Sequence, residues 1–480
     1  MVGSWLATTE LRTDCGSVCA GRYRKAAASH RDSTLDVAIL SLSAMAPFYK
    51  QLLEVRKFDP HVVSQNFKAE WSSPSNYAFT ILLLLGGDVV ARALAQLAGG
   101  RITPVAFSFG MRFPSPVKLT VFDRNAKQTS TGWVSYATSA VNSAVGAFKL
   151  MPPADTSCTV INTSNGMARG NGSWVIGRAM RDFEYWMGDA VRQKVIDNKN
   201  LKWQYDKEQA KLHGRDPCTV PYPAHSGLVV SFWKFDETKR DRLQKPGRDL
   251  LFWSGIAVTI VQLGISAIPF GLYGNYGVFL VTAAAITLCL VTGCQPQWAR
   301  EKWACRQIEP GKKRTYVMTR GNGAQHAIVI ECDGCGLNLE DLCTGFDNLD
   351  SPAISVATRL SMVGLGILWV VLLITSSALT DQLWFLIAVG GIGMLQNMFV
   401  AGWSRRPEAL GLPLVFMEVI GSPKVSATII EAERYLPTVG RALVGTFFPG
   451  GLFPSEEKAL HALEEEAKER KRKEKEIKEG

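Results

Sequence analysis

Asp88 and Arg92 lie four positions apart within an apolar stretch of the sequence. Residues at this spacing share one face of a helix, so their charges can neutralise each other. A charge inside a membrane is costly and marks either a functional site or a partner nearby. Two interpretations follow: a polar pathway through the membrane, or a paired charge that faces neighbouring helices. Pairing of the two charges is enough to explain how they are tolerated, so the second interpretation needs no functional site.

Four amide side chains are the other strongly polar groups in apolar stretches: Asn142, Gln262, Gln396 and Asn397. With the charged pair they could line a cavity. Within lipid, however, amides commonly form hydrogen bonds between helices. The sequence favours this structural role over a substrate site, because nothing in it shows which helix faces converge.

The cysteines Cys332, Cys335 and Cys343, with Cys305, are the candidates for a metal site. Thiolates can form a tetrahedral zinc site. Zinc modules usually contain two cysteine pairs, whereas only one is present here and the other spacings match no template. These three cysteines are therefore weak metal candidates, and no cofactor is predicted.

Catalytic motifs are not apparent in the sequence. The six histidines are scattered without a metalloprotease-like spacing, and no triad or carboxylate pair can be identified. A non-enzymatic role is favoured, with a membrane-embedded enzyme that has a cytosol-facing site as the alternative. The net charge of +10 is explained by helix orientation and anionic lipid, so nucleic acid is not a predicted partner.

Long apolar stretches predict an all-α membrane protein with about six transmembrane helices in three hairpins. A hydrocarbon core requires about 20 apolar residues per helix. Five spans follow directly from length and apolarity, at residues 77–98, 250–272, 276–293, 354–378 and 383–403.

The second span is predicted from two apolar pieces, residues 102–110 and 133–147, which are separated by the polar residues 111–132. A nine-residue helix reaches only about 13 Å, and the polar insertion cannot cross a bilayer as part of a helix. Direct joining of the two pieces would restore a span of normal length. The insertion is interpreted as a translated, unspliced intron, or failing that as a natural insertion that splits the helix.

Basic residues predict the orientation of the chain. Arg101 is the single basic residue in the short links between paired spans, whereas Lys and Arg are concentrated next to the long loops. The positive-inside rule therefore places both termini and both long loops in the cytosol, in either the plasma membrane or an endomembrane. Apart from the hairpins at 77–147, 250–293 and 354–403, the predicted regions are 1–76 (cytosolic N-terminal region), 148–249 and 294–353 (cytosolic loops), 404–454 (membrane-proximal region) and 455–480 (charged tail).

Local structure can be predicted in the loops. Residues 314–330 alternate around Gly321-Asn322-Gly323, and an Asn-Gly pair is a strong signal for a β-hairpin turn. Residues 174–209 are predicted to be helical, with Phe183, Trp186 and Val191 as apolar contacts. The tail is expected to be an exposed helix or disordered.

Residues 319–326 (TRGNGAQH), 336–342 (GLNLEDL) and 447–450 (FFPG) resemble segments of an uncharacterised family of filamentous-fungal multi-pass integral membrane proteins. The resemblance extends from about the first span to Phe453. It implies a fungal source, a membrane location and an uninterrupted second span, from which this sequence departs at residues 111–132. It implies neither an activity nor a cysteine motif.

Two functions are compatible with these features: transport of a small solute, or stabilisation of a membrane assembly. Transport predicts a polar cavity near the middle of the membrane. A scaffold predicts tightly packed spans and a cytosolic docking face. The expected partners are the lipid bilayer and either cytosolic proteins or a second copy of the chain.

Overall fold

The computed structural model describes residues 87–108, 149–345, 356–379 and 381–479, together with positions 133, 136, 137, 140 and 141. The predicted N-terminal region 1–76, the insertion 111–132 and Asn142 lie outside the described residues.

Long apolar helices alternate with mixed helical and extended segments along the described chain. The α-helices are α1 (Gly87–Leu97), α2 (Trp174–Arg181), α3 (Phe183–Trp186), α4 (Gly188–Leu212), α5 (Leu250–Tyr273), α6 (Gly277–Gly293), α7 (Pro296–Lys302), α8 (Leu339–Thr344), α9 (Val356–Ser377), α10 (Leu383–Gly402), α11 (Val425–Tyr435), α12 (Val439–Phe447) and α13 (Pro454–Glu479). The strands are β1 (Thr159–Asn162), β2 (Ala168–Gly170), β3 (Val229–Phe235), β4 (Lys313–Thr319), β5 (His326–Asp333) and β6 (Leu414–Gly421).

Three helices of the described chain, α5, α9 and α10, are long and apolar enough to cross a membrane. Helix α6 gives a fourth span if it is joined to α7 across a bend of 41°. Large apolar side chains on these helices are exposed, with Ile260, Ile367 and Leu395 showing 60–66% of their surface. Such surfaces require a hydrocarbon environment. The chain is therefore an integral membrane protein.

The predicted count of six spans and their arrangement in three hairpins are not confirmed. The first two predicted spans fall partly outside the described residues, so the number six stays a prediction. Helices α5 and α6 pack together, but α9 packs against α6, and α10 packs against α5 and α1. Besides the pairing of α5 with α6, the bundle is therefore held by contacts between helices of different predicted hairpins.

Residues 102–108, predicted as the start of a helical span, are instead irregular, and positions 103–108 are buried. The N–H group of Val105 donates to the carbonyl oxygen of Thr103 at 2.9 Å, which makes a tight turn around Pro104. Pro104 disfavours a helix because it lacks an N–H group and restricts the preceding residue. The β-branched neighbours Thr103 and Val105 also have low helix propensity. Unpaired backbone is costly inside a membrane, so this segment depends on partners from the surrounding helices. Positions 133, 136, 137, 140 and 141 are helical.

The strands form one sheet in the order β2-β1-β4-β5-β3-β6. Strands β3 and β5 are parallel, and the other neighbours are antiparallel. The predicted hairpin is confirmed, because β4 and β5 pair on either side of Gly321-Asn322-Gly323. The all-α class is corrected by the other four strands. Strands β1 and β2 pair locally with each other, but β1, β3 and β6 also pair with strands distant in sequence, and local patterns do not reveal such pairing.

Strands reach this sheet from three segments: before α5, between α7 and α9, and after α10. A hydrogen-bonded sheet cannot be divided by a bilayer, so these segments lie on one side of the membrane. Alternate residues of each strand face opposite ways. Val229 and Trp233 pack towards α2, α3 and the membrane helices, whereas Val230 and Phe232 pack against α11 and α12. The six strands, together with α2, α3, α11 and α12, are called the sheet domain below.

Candidate functional site

Gln262 of α5 hydrogen-bonds to the irregular segment 102–108. Its Nε2 donates to the carbonyl oxygens of Phe107 at 2.7 Å and Val389 at 2.8 Å. The contact of this segment with α10 is closest at Gly393, where a Cβ atom would lie 1.7 Å from the oxygen of Phe107. Glycine is therefore required at this position, and Gln262 supplies a hydrogen bond to a carbonyl that is not part of a helix or strand.

Asn397 performs a similar role one turn further along α10. Its Nδ2 donates to the carbonyl oxygen of Ala106 at 3.0 Å and to Oγ of Ser108 at 3.3 Å. The same carbonyl of Ala106 accepts a hydrogen bond from Nε1 of Trp133 at 3.0 Å. The ring of Trp133 stacks on Trp369 of α9, with centroids 5.4 Å apart. Polar and aromatic groups thus enclose this part of the segment.

Other contacts hold the beginning of the segment between α5 and α6. Oγ1 of Thr103 donates to the carbonyl of Gly293 at 2.9 Å, and a Cβ at Gly255 would lie 2.0 Å from the oxygen of Pro104. Gln396 connects helices directly, since its Nε2 donates to Oγ of Ser254 at 2.8 Å. The amide nitrogens of Gln262, Gln396 and Asn397 therefore all donate to neighbouring backbone or hydroxyl groups. The amide oxygens of Gln262 and Asn397 are buried without a hydrogen-bond partner among the described residues.

Asp88 and Arg92 are both exposed on α1. The ion pair recorded for Arg92 is with Asp155, whose Oδ1 lies 3.9 Å from its Nε. Asp155 is almost fully buried and also binds Arg178. The structure thus places Arg92 at the margin of an ionic cluster that connects the sheet domain to the membrane helices.

Arg178 of α2 lies at the centre of this cluster and caps the end of α10. Its Nη1 and Nη2 donate to the carbonyl oxygens of Ala401 at 3.0 Å and Trp403 at 2.6 Å. Asp155 and Asp182 pair with the same guanidinium at 2.8 and 3.1 Å. Burial lowers the pKa of Arg178, and the two carboxylates oppose this effect. The cation also complements the negative end of the helix dipole.

The end of α1 is capped in the same way. Nζ of Lys302 donates to the carbonyl oxygens of Gln96 at 3.2 Å and Ala98 at 2.9 Å. Nη1 of Arg405 donates to Gln96 at 2.6 Å, and its Nε pairs with Asp249 at 2.8 Å. Lys302 and Arg405 are only 1–2% exposed. These bonds fix α1 and α10 to the polar segments beside them.

Sequence reasoning did not identify this cluster. In the sequence, Lys302 and Arg405 are only two of the basic residues beside the long loops that orient the chain, and Arg178 does not differ from other arginines of the loop. The one available signal was their position after or beside apolar stretches, where cations favour helix C-termini. The carbonyls that they bind come from distant segments, so the contacts could not be deduced.

A groove of about 430 Å³ lies beside the β4–β5 turn and brings together Glu184, His225, Arg320 and His326. Burial lowers the pKa of His326 from 6.5 to about 4, so its ring is neutral near pH 7. Its Nδ1 has no hydrogen-bond partner among the described residues. Phe183 packs against this ring with centroids 5.1 Å apart. The sequence did not predict this convergence of acid, base and cation.

The cysteine candidates are free thiols in the structure. Sγ of Cys343 donates to the carbonyl of Glu340 at 3.1 Å, and Cys332 lies against Leu337. Burial raises the pKa of Cys343 to about 11 and also raises that of Cys335. Within the described ranges, no group of three His, Cys, Asp or Glu residues is arranged to hold a metal ion.

Comparison with known protein families, curated proteins and solved structures gave no match to this chain. The resemblance to filamentous-fungal membrane proteins stays a prediction. Function must therefore be inferred from the geometry alone.

Proposed function

We propose that this protein is a non-enzymatic membrane scaffold that holds an assembly at the membrane and presents its sheet domain to the cytosol. The observation that carries the proposal is the buried, irregular segment 102–108. It fills the space between α5, α6 and α10, and its contacts engage Gln262 and Asn397. A scaffold benefits from such packing, whereas a solute pathway requires polar space at the same depth.

The connection to the sheet domain supports the same function. Arg178, Lys302 and Arg405 bind the ends of α1 and α10 while acidic partners hold two of them from the polar side. A rigid connection allows force or position to be transmitted between membrane and domain. Helix α13 packs on α11 and presents a long charged surface to a cytosolic protein or a second copy of the chain.

Transport of a small solute is the alternative that a mutational experiment can separate from scaffolding. Leucine at Gln262 removes hydrogen bonds worth about 0.6–2 kcal/mol each in membrane proteins. If the protein is a scaffold, Gln262→Leu should have a lower melting temperature than the unaltered chain. Each folded molecule of the variant should still complement a deletion strain as well as the unaltered protein does.

The matched control is Thr287→Val, because Thr287 is exposed on α6 and bonds only to its own helix. This variant should keep both the melting temperature and complementation. Loss of complementation in well-folded Gln262→Leu would instead favour transport, because the amide would then be needed for more than packing.

An enzyme is the second candidate, favoured by the groove that holds Glu184, His225, Arg320 and His326. Its test is His225→Gln and His326→Gln, which preserve side-chain polarity but remove the imidazoles. The scaffold proposal expects both variants to complement the deletion strain fully. Failure of either variant at normal abundance would favour an acid–base activity in this groove.

A further inference from the structure

A second groove, of about 650 Å³, opens between the beginning of α5 and the end of α10. Five basic and three acidic side chains line it. The basic residues are Arg242, Lys245, Arg248, Arg405 and Arg406. The groove therefore carries excess positive charge at the point where two membrane helices meet the sheet domain.

Two of these cations are already neutralised within the protein. Arg405 pairs with Asp249 at 2.8 Å, and Arg242 pairs with Glu408. The remaining acid in the lining, Asp241, is exposed.

Three exposed cations remain: Lys245, Arg248 and Arg406. None of them has an ion-pair partner in the part of the chain that the structure describes. Guanidinium and ammonium groups in this arrangement can donate several hydrogen bonds to one phosphate.

The groove also has an apolar margin. Leu250 and Trp403 line it and are 63% and 41% exposed, and Trp253 one turn into α5 is 58% exposed. Indole rings favour the boundary between headgroups and hydrocarbon. Cations next to exposed apolar residues at this level match the two parts of a phospholipid.

We propose that this groove is a binding site for one anionic phospholipid. Its phosphate oxygens accept hydrogen bonds from Lys245, Arg248 and Arg406, and its acyl chains follow the exposed surface beginning at Leu250 and Trp253. A free phosphate compound shares the headgroup chemistry but makes no use of the apolar margin. The site goes beyond the proposed scaffold and does not depend on it.

The test uses the full chain in detergent, titrated with phosphatidylserine, phosphatidylcholine or inorganic phosphate, with bound lipid counted by native mass spectrometry. The variant combines Lys245→Gln, Arg248→Gln and Arg406→Gln. Each cation contributes about 1 kcal/mol to attraction by anionic lipid, so affinity for phosphatidylserine should fall on the order of 100-fold. Phosphatidylcholine binding should be weak in both proteins.

The control combines Lys458→Gln, Arg472→Gln and Lys473→Gln, which removes the same charge from exposed positions on α13. It should bind phosphatidylserine like the unaltered chain. If the groove variant proves poorly folded, Lys245→Glu alone should still weaken phosphatidylserine binding at least fivefold. Equal losses in groove and control variants, or undiminished binding in the groove variants, would overturn the proposal. Saturable inorganic phosphate binding without a lipid preference would also overturn it and assign the groove to a free phosphate compound.

Discussion

Replacing Gly393 with alanine should destabilise the membrane bundle strongly. A Cβ atom at this position would lie 1.7 Å from the carbonyl oxygen of Phe107 and 2.5 Å from Nε2 of Gln262. Carbon and oxygen normally approach to about 3.3 Å, so the irregular segment 102–108 would have to move by roughly 1.6 Å. A backbone atom cannot yield as a flexible side chain can, and this movement would break the bond between Gln262 and Phe107.

The expected cost follows from these two effects. Overpacking of a core typically costs about 1–3 kcal/mol, and the lost hydrogen bond adds about 1 kcal/mol. We therefore expect Gly393→Ala to lower the free energy of unfolding by about 3 kcal/mol. Thermal unfolding of the purified protein in detergent, followed by intrinsic tryptophan fluorescence, measures the change.

Gly391 on the same helix provides a matched control, because a Cβ there would meet nothing within 4 Å. Alanine is favoured over glycine inside a helix by about 0.5–1 kcal/mol. Gly391→Ala should therefore melt at or slightly above the temperature of the unaltered chain. A Gly393→Ala protein that melts as high as Gly391→Ala would refute the close approach of α10 to residues 102–108.

Three further predictions concern the sheet domain. The folded-state pKa of His326 is about 4, below its ordinary 6.5. The contribution of its neutral ring to stability is therefore complete above pH 6.5 and is lost as the pH falls towards 4. Melting at several pH values should show a loss of about 2 kcal/mol at pH 5, and this loss should be absent in His326→Gln. Arg178→Gln removes the fully buried partner of Asp155 and Asp182, which keep ion pairs with the partly exposed Arg181. It should lower the free energy of unfolding by about 3 kcal/mol, and a variant extracted at normal abundance and melting temperature would contradict the capping role. Asn162 and Asn171 begin the glycosylation sequons Asn162-Thr163-Ser164 and Asn171-Gly172-Ser173. Neither should carry a glycan on the proposed cytosolic side, and Asn162 is also only 5% exposed, with its Nδ2 donating to Glu340 at 2.9 Å. Peptide mass mapping tests this, and a glycan on the partly exposed Asn171 would invert the proposed topology.

Features that depend on local patterns could be predicted from the sequence alone. Length and apolarity located α5, α9 and α10, because a bilayer imposes the same requirement on any helix that crosses it. The Asn322-Gly323 pair located the hairpin turn because its backbone conformations favour that geometry. Residues 174–209 are largely helical, and their predicted contacts Phe183 and Trp186 are buried.

The contacts between distant segments could be seen only in the tertiary structure. Residues 102–108 were apolar enough for a span, but their non-helical conformation depends on bonds from Gln262 and Asn397, more than 150 positions away. The six-stranded sheet likewise combines three segments that membrane helices separate in sequence. Arg178 and Arg405 were visible as charges, yet their role depends on the ends of α10 and α1. Hydrogen bonds and ion pairs form between positions in space, so composition and spacing could reveal the groups but not their partners.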